Sequence, residues 1–344
     1  MSENKLKVWI DTSPLRTGHA SRGIGVYTSL LQQSLSRVET VELVDTSKKA
    51  DIIHYPYFDF FFSTLPFNLM KKSVITIHDT IPLIYPDKYK PGIKGGLRFI
   101  RQKQALKTVK AVITDSNSSA FDVKTYLGIP SSKINIIPLA ANPNLYSQSQ
   151  IKLRKIIRQY NLPKTYILYV GDINFNKNLP NLIKMMKYLP KTVKLICLGK
   201  NFKPQPIPEW HWLETQLALS DVESRVKFIT NLDNNNLGDL AGIYQLATCY
   251  VQPSFYEGFG LTVLEAMQVG TPVIASKTSS LPEVMGEAGI LVSPEAETLA
   301  KGVEEVLNFS KTKRIEVIKN AKKHAAGFNW KKVAEQTARV YQSL

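Results

Sequence analysis

Cysteine is scarce. The 344 residues contain two, Cys197 and Cys249, each inside an apolar run (VKLICLGK and ATCYVQP) and without metal-ligand spacing. That excludes a disulfide framework and a thiolate metal site, and both thiols are expected as buried small hydrophobes of a reducing compartment. Long apolar runs are missing too. No stretch approaches the roughly 18 apolar residues of a spanning helix, and the most apolar segment, 51–70, carries acids, a histidine and prolines. The amino terminus reads MSENKLKVWID, with no run of signal-peptide length. A cytoplasmic location is therefore expected, at most peripheral at the inner face of the membrane. There is no short repeat and no low-complexity tract, which argues against solenoids and fibres. Acids are few: 28 stand against 44 Lys and Arg, a net charge of +16. Such an excess suits polyanions (nucleic acid, anionic lipid or a phosphate-bearing substrate) without choosing among them.

What is present is the composition of a soluble globular protein, 44% hydrophobic and 21% charged, in a chain too long for one ordinary core. KVWI at 7–10, ADIIHY, SVITIH and KAVITDS read as strands, rich in β-branched residues and bounded by polar turns. A helical pattern covers 26–35, and amphipathic stretches separate the other strands. The pattern then restarts with strands at 166–171, 193–198, 226–229, 249–252 and 273–275. Strands alternating with helices predict parallel sheets. The expected fold is α/β with two Rossmann-like domains facing each other across a cleft, ligands lying at the carboxyl edges of the strands. A segment at 142–164, rich in Pro, Asn, Ser and Gln, marks the crossing. The expected boundaries are 1–160 for the first domain and 161–326 for the second. A helix in 327–344 is expected to cross back to the first.

The most informative segment is 252–276, QPSFYEGFGLTVLEAMQVGTPVIAS. It reads as strand end, loop, helix over 261–269, turn at Gly270 and strand. Gly258 and Gly260 bracket Phe259 just before the helix. Glycines let a ligand approach the backbone, and a helix N-terminus adds partial positive charge, so this loop suits a phosphate. Glu257 and Glu265 flank it with E-x7-E spacing. Ionised carboxylates only accept hydrogen bonds and so suit the hydroxyls of sugar and ribose. Acid, phosphate loop, acid matches the polarity of a sugar nucleotide.

This segment resembles the hallmark of the retaining glycosyltransferases of family 4, EGFGLxxLEAMxxGTPVIAS, whose members have the GT-B fold. The resemblance extends over nearly the whole chain, through GIGVY (23–27), VITIHD (74–79), TDSNSS (114–119), INIIPLAAN (134–142), YVGDINFNKN (169–178) and SSLPEVMGEAGILV (279–292). It implies that Glu257 contacts donor-sugar hydroxyls and that Glu265 holds the ribose. It also implies that Phe259, Gly260 and Leu261 offer backbone amides to sugar and diphosphate. It leans towards mannosyltransferases using GDP-mannose, with UDP-sugars open, and towards envelope or capsule polysaccharide synthesis.

Lys177 and Asn178 follow the strand YILYV at the sheet edge. A lysine there neutralises a diphosphate and stabilises the leaving group, and Pro180 suits the first turn of the helix beginning near Asn178. Family members often carry an arginine directly after the loop glycine. Here that position is Asp172 and the loop is one residue shorter, leaving Arg22 or Arg16 as alternative cations. Gly23 and Gly25 stand between the first strand and first helix. Their G-x-G is a poor fingerprint alone, but the resemblance implies that this loop reaches donor phosphates. His78 and Asp79 end a strand. A lone histidine there is commonly structural, but the resemblance places it near the donor sugar. His54 is a weaker case of the same kind, and Glu283 lies in a loop that family members use near the nucleotide.

Two surface features remain. The segment 88–110 holds eight basic residues and no acid, interleaved with Leu97, Ile100, Ala105, Leu106 and Val109. It reads either as a basic amphipathic helix at an anionic membrane or as a core-packing helix with a solvated face. Phe58, Phe60, Phe61, Phe62 and Phe67 lie nearby and would line an acceptor groove, enter lipid or fill a core. The function expected is retaining transfer of a sugar, mannose favoured, from a nucleotide-diphospho-sugar to a hydroxyl of a glycan or lipid-linked acceptor. Catalysis is assigned to Glu257, Lys177 and His78, without metal or further cofactor. An epimerase or glycan phosphorylase on the same fold, and an inactive polyanion-binding protein, are the alternatives. No nucleic-acid-binding motif is present.

Overall fold

The computed structural model describes residues 5–16, 23–67, 71–233 and 236–344. It divides into two compact units, unit 1 comprising 1–140 and 328–344 and unit 2 comprising 141–327.

Unit 1 is built on the strands β1 (Leu6–Ile10), β2 (Val41–Leu43), β3 (Ile52–Tyr55), β4 (Lys72–Thr76), β5 (Ala111–Thr114) and β6 (Ile134–Ile136), in the order β2-β1-β3-β4-β5-β6. Unit 2 carries β7 (Tyr166–Val170), β8 (Lys194–Leu198), β9 (Val226–Ile229), β10 (Cys249–Gln252), β11 (Val273–Ser276) and β12 (Ile290–Val292), in the order β12-β11-β10-β7-β8-β9. All paired strands are parallel. Helices between them cover the sheets, so the central strands are buried on both faces. β3, β5, β10 and β11 are buried at every residue, the expected signature of a doubly covered parallel sheet. Both units are Rossmann-like, as the alternating pattern predicts. Cys197 and Cys249 are free, buried thiols in β8 and β10. Burial pushes both upward, Cys249 to about 12, which keeps them inert.

The division falls at 140/141, twenty residues before the expected boundary at 160. The reason is a helix, Gln150–Gln159, inside the polar segment. Its Leu153 and Ile156 are buried. A methyl carbon added at Gly242 would lie 2.3 Å from Ile156 Cδ1 and 3.4 Å from Leu153 Cδ2, so this helix packs against the Leu237–Leu246 helix of unit 2. Gln268 reinforces the attachment, its Nε2 donating to the carbonyls of Asn142 and Leu145 at 2.8 and 2.6 Å.

The last helix, Trp330–Gln342, belongs to unit 1. Its buried Tyr341 hydroxyl lies 2.6 Å from His54 Nδ1. His54 Nε2 is 2.9 Å from Thr76 Oγ1, which in turn is 3.1 Å from the Tyr27 hydroxyl. Four buried side chains thus join β3, β4, the helix Gly23–Leu35 and the last helix. Burial lowers His54 to about 3, so it is a neutral structural imidazole.

Tyr341→Phe leaves one buried nitrogen of His54 unpartnered and is expected to cost about 1–3 kcal/mol in urea unfolding at neutral pH. The depressed His54 also fixes a pH dependence. Its unfolded imidazole titrates near 6.5, so its contribution to stability is complete above that value and falls as pH drops towards about 3. A His54→Gln variant is expected to show a shallower loss of stability over that window.

Candidate functional site

The order β9-β8-β7-β10-β11-β12 sends the chain outward from β7 on one side and from β10 on the other. The two central strands meet at the topological switch point, where their exit loops part and open α/β sheets take ligands. The loop after β7 carries Lys177 and Asn178. The loop after β10 carries Glu257, Gly258, Phe259 and Gly260, and then the helix Leu261–Val269 begins. The hallmark segment therefore folds as its sequence predicts, with the helix at the expected bounds.

Lys177 and Glu257 meet across this point. The Lys177 ammonium donates to both carboxylate oxygens at 2.8 Å. Glu257 is buried, and its Oε1 also accepts from Gln252 Nε2 at 2.7 Å and Ser254 Oγ at 2.6 Å. Gln252 Nε2 donates its second proton to Ser254 Oγ at 2.7 Å. Behind it, Tyr250 donates to Gln252 Oε1. Glu257 is thus held by a buried polar chain running up β10 as well as by a lysine from the neighbouring loop. A buried carboxylate needs such partners.

The loop itself is strapped from both sides. On one side Asn176 Nδ2 donates to the Tyr256 carbonyl at 3.0 Å, and Phe255 N donates to the Asn176 carbonyl at 2.8 Å. On the other, Ser280 Oγ reaches the carbonyls of Glu257 and Phe259 at 2.9 and 2.8 Å, and Glu257 N donates to Ser279 Oγ at 2.8 Å. Gly260 adopts φ +105°, a conformation that favours glycine, and a methyl group there would stand 2.8 Å from Leu281 Cδ2, so that side chain would have to shift. Among the described residues, no side chain caps the helix at Gly260. Its first turn presents the positive end of the helix dipole at Leu261. Phe259 is buried.

Glu265 sits in the second turn of the same helix. Tyr244, fully buried, donates its hydroxyl to Glu265 Oε2 at 3.1 Å. Burial raises the Glu265 carboxyl to about 7, and the tyrosine hydrogen bond only partly opposes this. The two acids of E-x7-E are therefore in different electrostatic situations: one carries a lysine and two further donors, the other a single phenol.

Asn178 is buried in the left-handed conformation, φ +55°. Its Nδ2 donates to the carbonyls of Pro253 and Pro294, both at 2.8 Å, and its Oδ1 accepts from Asn181. That side chain is committed to joining loops. Gly23 and Gly25, expected in a loop, are the first and third residues of the helix Gly23–Leu35, which begins three residues earlier than its apolar periodicity indicated. Arg22 lies outside the described residues. Arg16 is exposed and ends a 3-10 turn, Ser13–Arg16, in unit 1. Glu283 is exposed. His78, also in unit 1, has its Nδ1 2.6 Å from Asp115 Oδ2 and its Nε2 3.2 Å from the Pro56 carbonyl. Burial opposes its protonation, but the charge and hydrogen bond of Asp115, with the charge of Asp79, outweigh it and raise its pKa. Both nitrogens face acceptors, the arrangement of an imidazolium.

Sequence reasoning missed Gln252, Ser254, Ser279, Ser280, Asn176 and Tyr244. Gln252 and Ser254 did carry a signal: they are polar residues closing an apolar strand directly before the hallmark. Among the described residues, no three His, Cys, Asp or Glu side chains gather as a metal site.

Residues 153–324 match the family Glycosyl transferases group 1, and residues 15–145 match Glycosyltransferase Family 4. The O-antigen chain mannosyltransferase B of Escherichia coli is 27% identical over 281 residues, 80% of this chain and 71% of that protein. A serotype-specific mannosyltransferase, WbdA, of Escherichia coli is 28% identical over 78% of this chain, which spans only 33% of that longer protein. Among solved structures, a sucrose-phosphate synthase from Thermosynechococcus elongatus superposes with TM-score 0.75 at 20% identity, covering 99% of both chains. Anabaena HepE in complex with UDP-glucose superposes with TM-score 0.74 at 19% identity, covering 99% of this chain and 100% of that one. These likenesses give the fold class, GT-B.

Tyr244→Phe removes the one hydrogen bond that lowers Glu265. The Glu265 carboxyl is then expected to titrate above its value of about 7, read as the carboxyl carbon shift in an NMR titration.

Proposed function

The chain belongs to the group 1 glycosyltransferases, and from that premise we propose that unit 2 binds a nucleoside-diphospho-sugar at the switch point between β7 and β10. The observation that carries this reading is the meeting of Lys177 with Glu257 beside the uncapped helix start at Gly260. A cation, an uncapped helix N-terminus and two carboxylates converge on one strand edge. In this reading Lys177 and the helix start receive the diphosphate, Glu257 orients sugar hydroxyls and Glu265 accepts from the ribose. The backbone of Phe259, Gly260 and Leu261 lines the diphosphate path. Mannose is the favoured sugar because the relatives named above are mannosyltransferases, and GDP is the base carrier that the family resemblance favours. HepE, seen with UDP-glucose, keeps UDP-sugars as the alternative. The acceptor is the hydroxyl of a glycan or lipid-linked saccharide.

The reaction proposed retains the anomeric configuration. The acceptor oxygen attacks the anomeric carbon on the face from which the diphosphate leaves, and the leaving phosphate oxygen takes the acceptor's proton. Glu257 is given a binding role rather than a nucleophilic one, its carboxylate being engaged by Lys177, Gln252 and Ser254. Lys177 neutralises the charge that grows on the diphosphate. We propose that it does so without a metal ion.

A thermal-shift panel of GDP, UDP, ADP and their sugar conjugates tests the site. A ligand at 100 times its Kd adds roughly 2.7 kcal/mol of stability, and the shift is expected for one base and lost in Glu265→Ala. Ribose hydroxyls donate, so the ionised form of Glu265 binds. With a carboxyl at about 7, nucleotide affinity is expected to rise about tenfold from pH 6 to pH 8 and then level off. No shift with any nucleotide in the folded protein would overturn the reading. With the donor known, activity is expected to persist in excess EDTA. Proton NMR of the first product is expected to show the anomer of the donor, and an inverted anomer would refute retention.

A further inference from the structure

The helix Gly92–Leu106 does not bury the apolar residues that its sequence offers first. Gly95, Gln102, Ala105 and Leu106 face the core. Ile93, Leu97 and Ile100 are exposed by 87%, 59% and 60%. They follow i, i+4, i+7 spacing and so form one row along the outer face, opposite the buried one. Beside them runs a second exposed row at the same spacing, Lys94, Arg98 and Arg101. None of these three cations takes part in an ion pair among the described residues. The segment 88–110 contains no acid.

A phenyl ring extends this surface. Phe62, 66% exposed, lies beneath the Arg98 guanidinium, 6.0 Å from its ring centroid. Its position is built. Buried Gln102 donates to the carbonyls of Asp59 and Phe62 at 2.6 and 2.7 Å. Its Oε1 accepts from Thr64 N and Leu65 N at 2.8 and 3.1 Å. Asp59, the acid of this loop, accepts from the amides of Phe61 and Phe62 and from the Tyr57 hydroxyl. Phe58, Phe60, Phe61 and Phe99 pack edge to face below. The same side chain that faces the core at Gln102 therefore holds an aromatic ring out in water.

We propose that this face of unit 1 docks on an anionic lipid surface. Aliphatic side chains enter the boundary between headgroups and acyl chains, and the parallel cationic row meets headgroup phosphates. A contiguous exposed apolar patch marks an interaction surface, and the charge beside it selects the partner. A second copy of the chain would oppose one cationic row with another. Nucleic acid would use the cations and leave the aliphatic row in water.

The full chain is to be sedimented with vesicles of phosphatidylcholine alone and of phosphatidylcholine mixed with phosphatidylglycerol. Two exposed pairs are replaced separately, Leu97→Ser with Ile100→Ser and Arg98→Glu with Arg101→Glu, and unchanged unfolding midpoints certify that each folds. The wild type is expected to sediment with the anionic vesicles alone. Each pair of substitutions is expected to weaken partitioning about tenfold or more. A wild type that stays in the supernatant overturns the proposal. So does a serine pair that binds as well as wild type, since that marks a general polyanion surface, the outcome expected of nucleic acid. Sedimentation velocity without vesicles covers the remaining case: a dimer that the serine pair dissolves assigns the face to a second copy and overturns the lipid reading.

Discussion

A carboxylate taken out of water needs donors around it, and in unit 2 the local structure is arranged to supply them to Glu257. β10 ends at Gln252, and the side chains of Gln252 and of Ser254, two residues further on, turn to the acid. The loop after β7 coils into a 3-10 turn that delivers Lys177. The loop after β11 contributes Ser279 and Ser280. Three strand exits are thereby tied to one residue, and the glycines of the loop are placed by those ties. The switch in strand order makes this arrangement available, since it sets the exits of β7 and β10 side by side with no crossing helix between them.

The two acids of E-x7-E show how environment divides labour between identical groups. Glu257 meets a full cation and two neutral donors at once. Glu265 meets one phenol in a buried setting, and its carboxyl rises to about 7. The first is held in place before any ligand arrives. The second is left with acceptor capacity and a proton that a ligand can displace. The spacing in the sequence puts them on one loop and helix but says nothing of this difference.

Much of the fold was legible because its signals are local. The long buried strands β7, β8 and β10 are continuous apolar runs, and Gly270 closes its helix where the sequence says it should. β2, β6 and β12 leave no strand signal in the sequence because each has three residues and none is buried throughout. The polar composition of 142–164 conceals a helix whose few apolar residues suffice to anchor it to unit 2. At the site, the charged residues were readable and their supports were not. Ser279 and Ser280 are more than twenty residues from Glu257, and a serine in a loop carries no mark of the carbonyl it will meet. The helix Gly92–Leu106 is the sharpest case. Its pattern showed that apolar and basic residues alternate, but only packing shows that Leu97 and Ile100 point away from the core while Ala105 and Leu106 point into it.

Gln102 has a consequence for how any contact at that face would proceed. Five hydrogen bonds to one amide side chain turn the 59–65 loop into a rigid extension of the helix. The backbone that carries Phe62 then has little freedom left to lose on contact, because folding has already removed it. Association at that face would carry a smaller entropic penalty than a floppy loop imposes, and it would approach the rate of a preformed surface meeting its target.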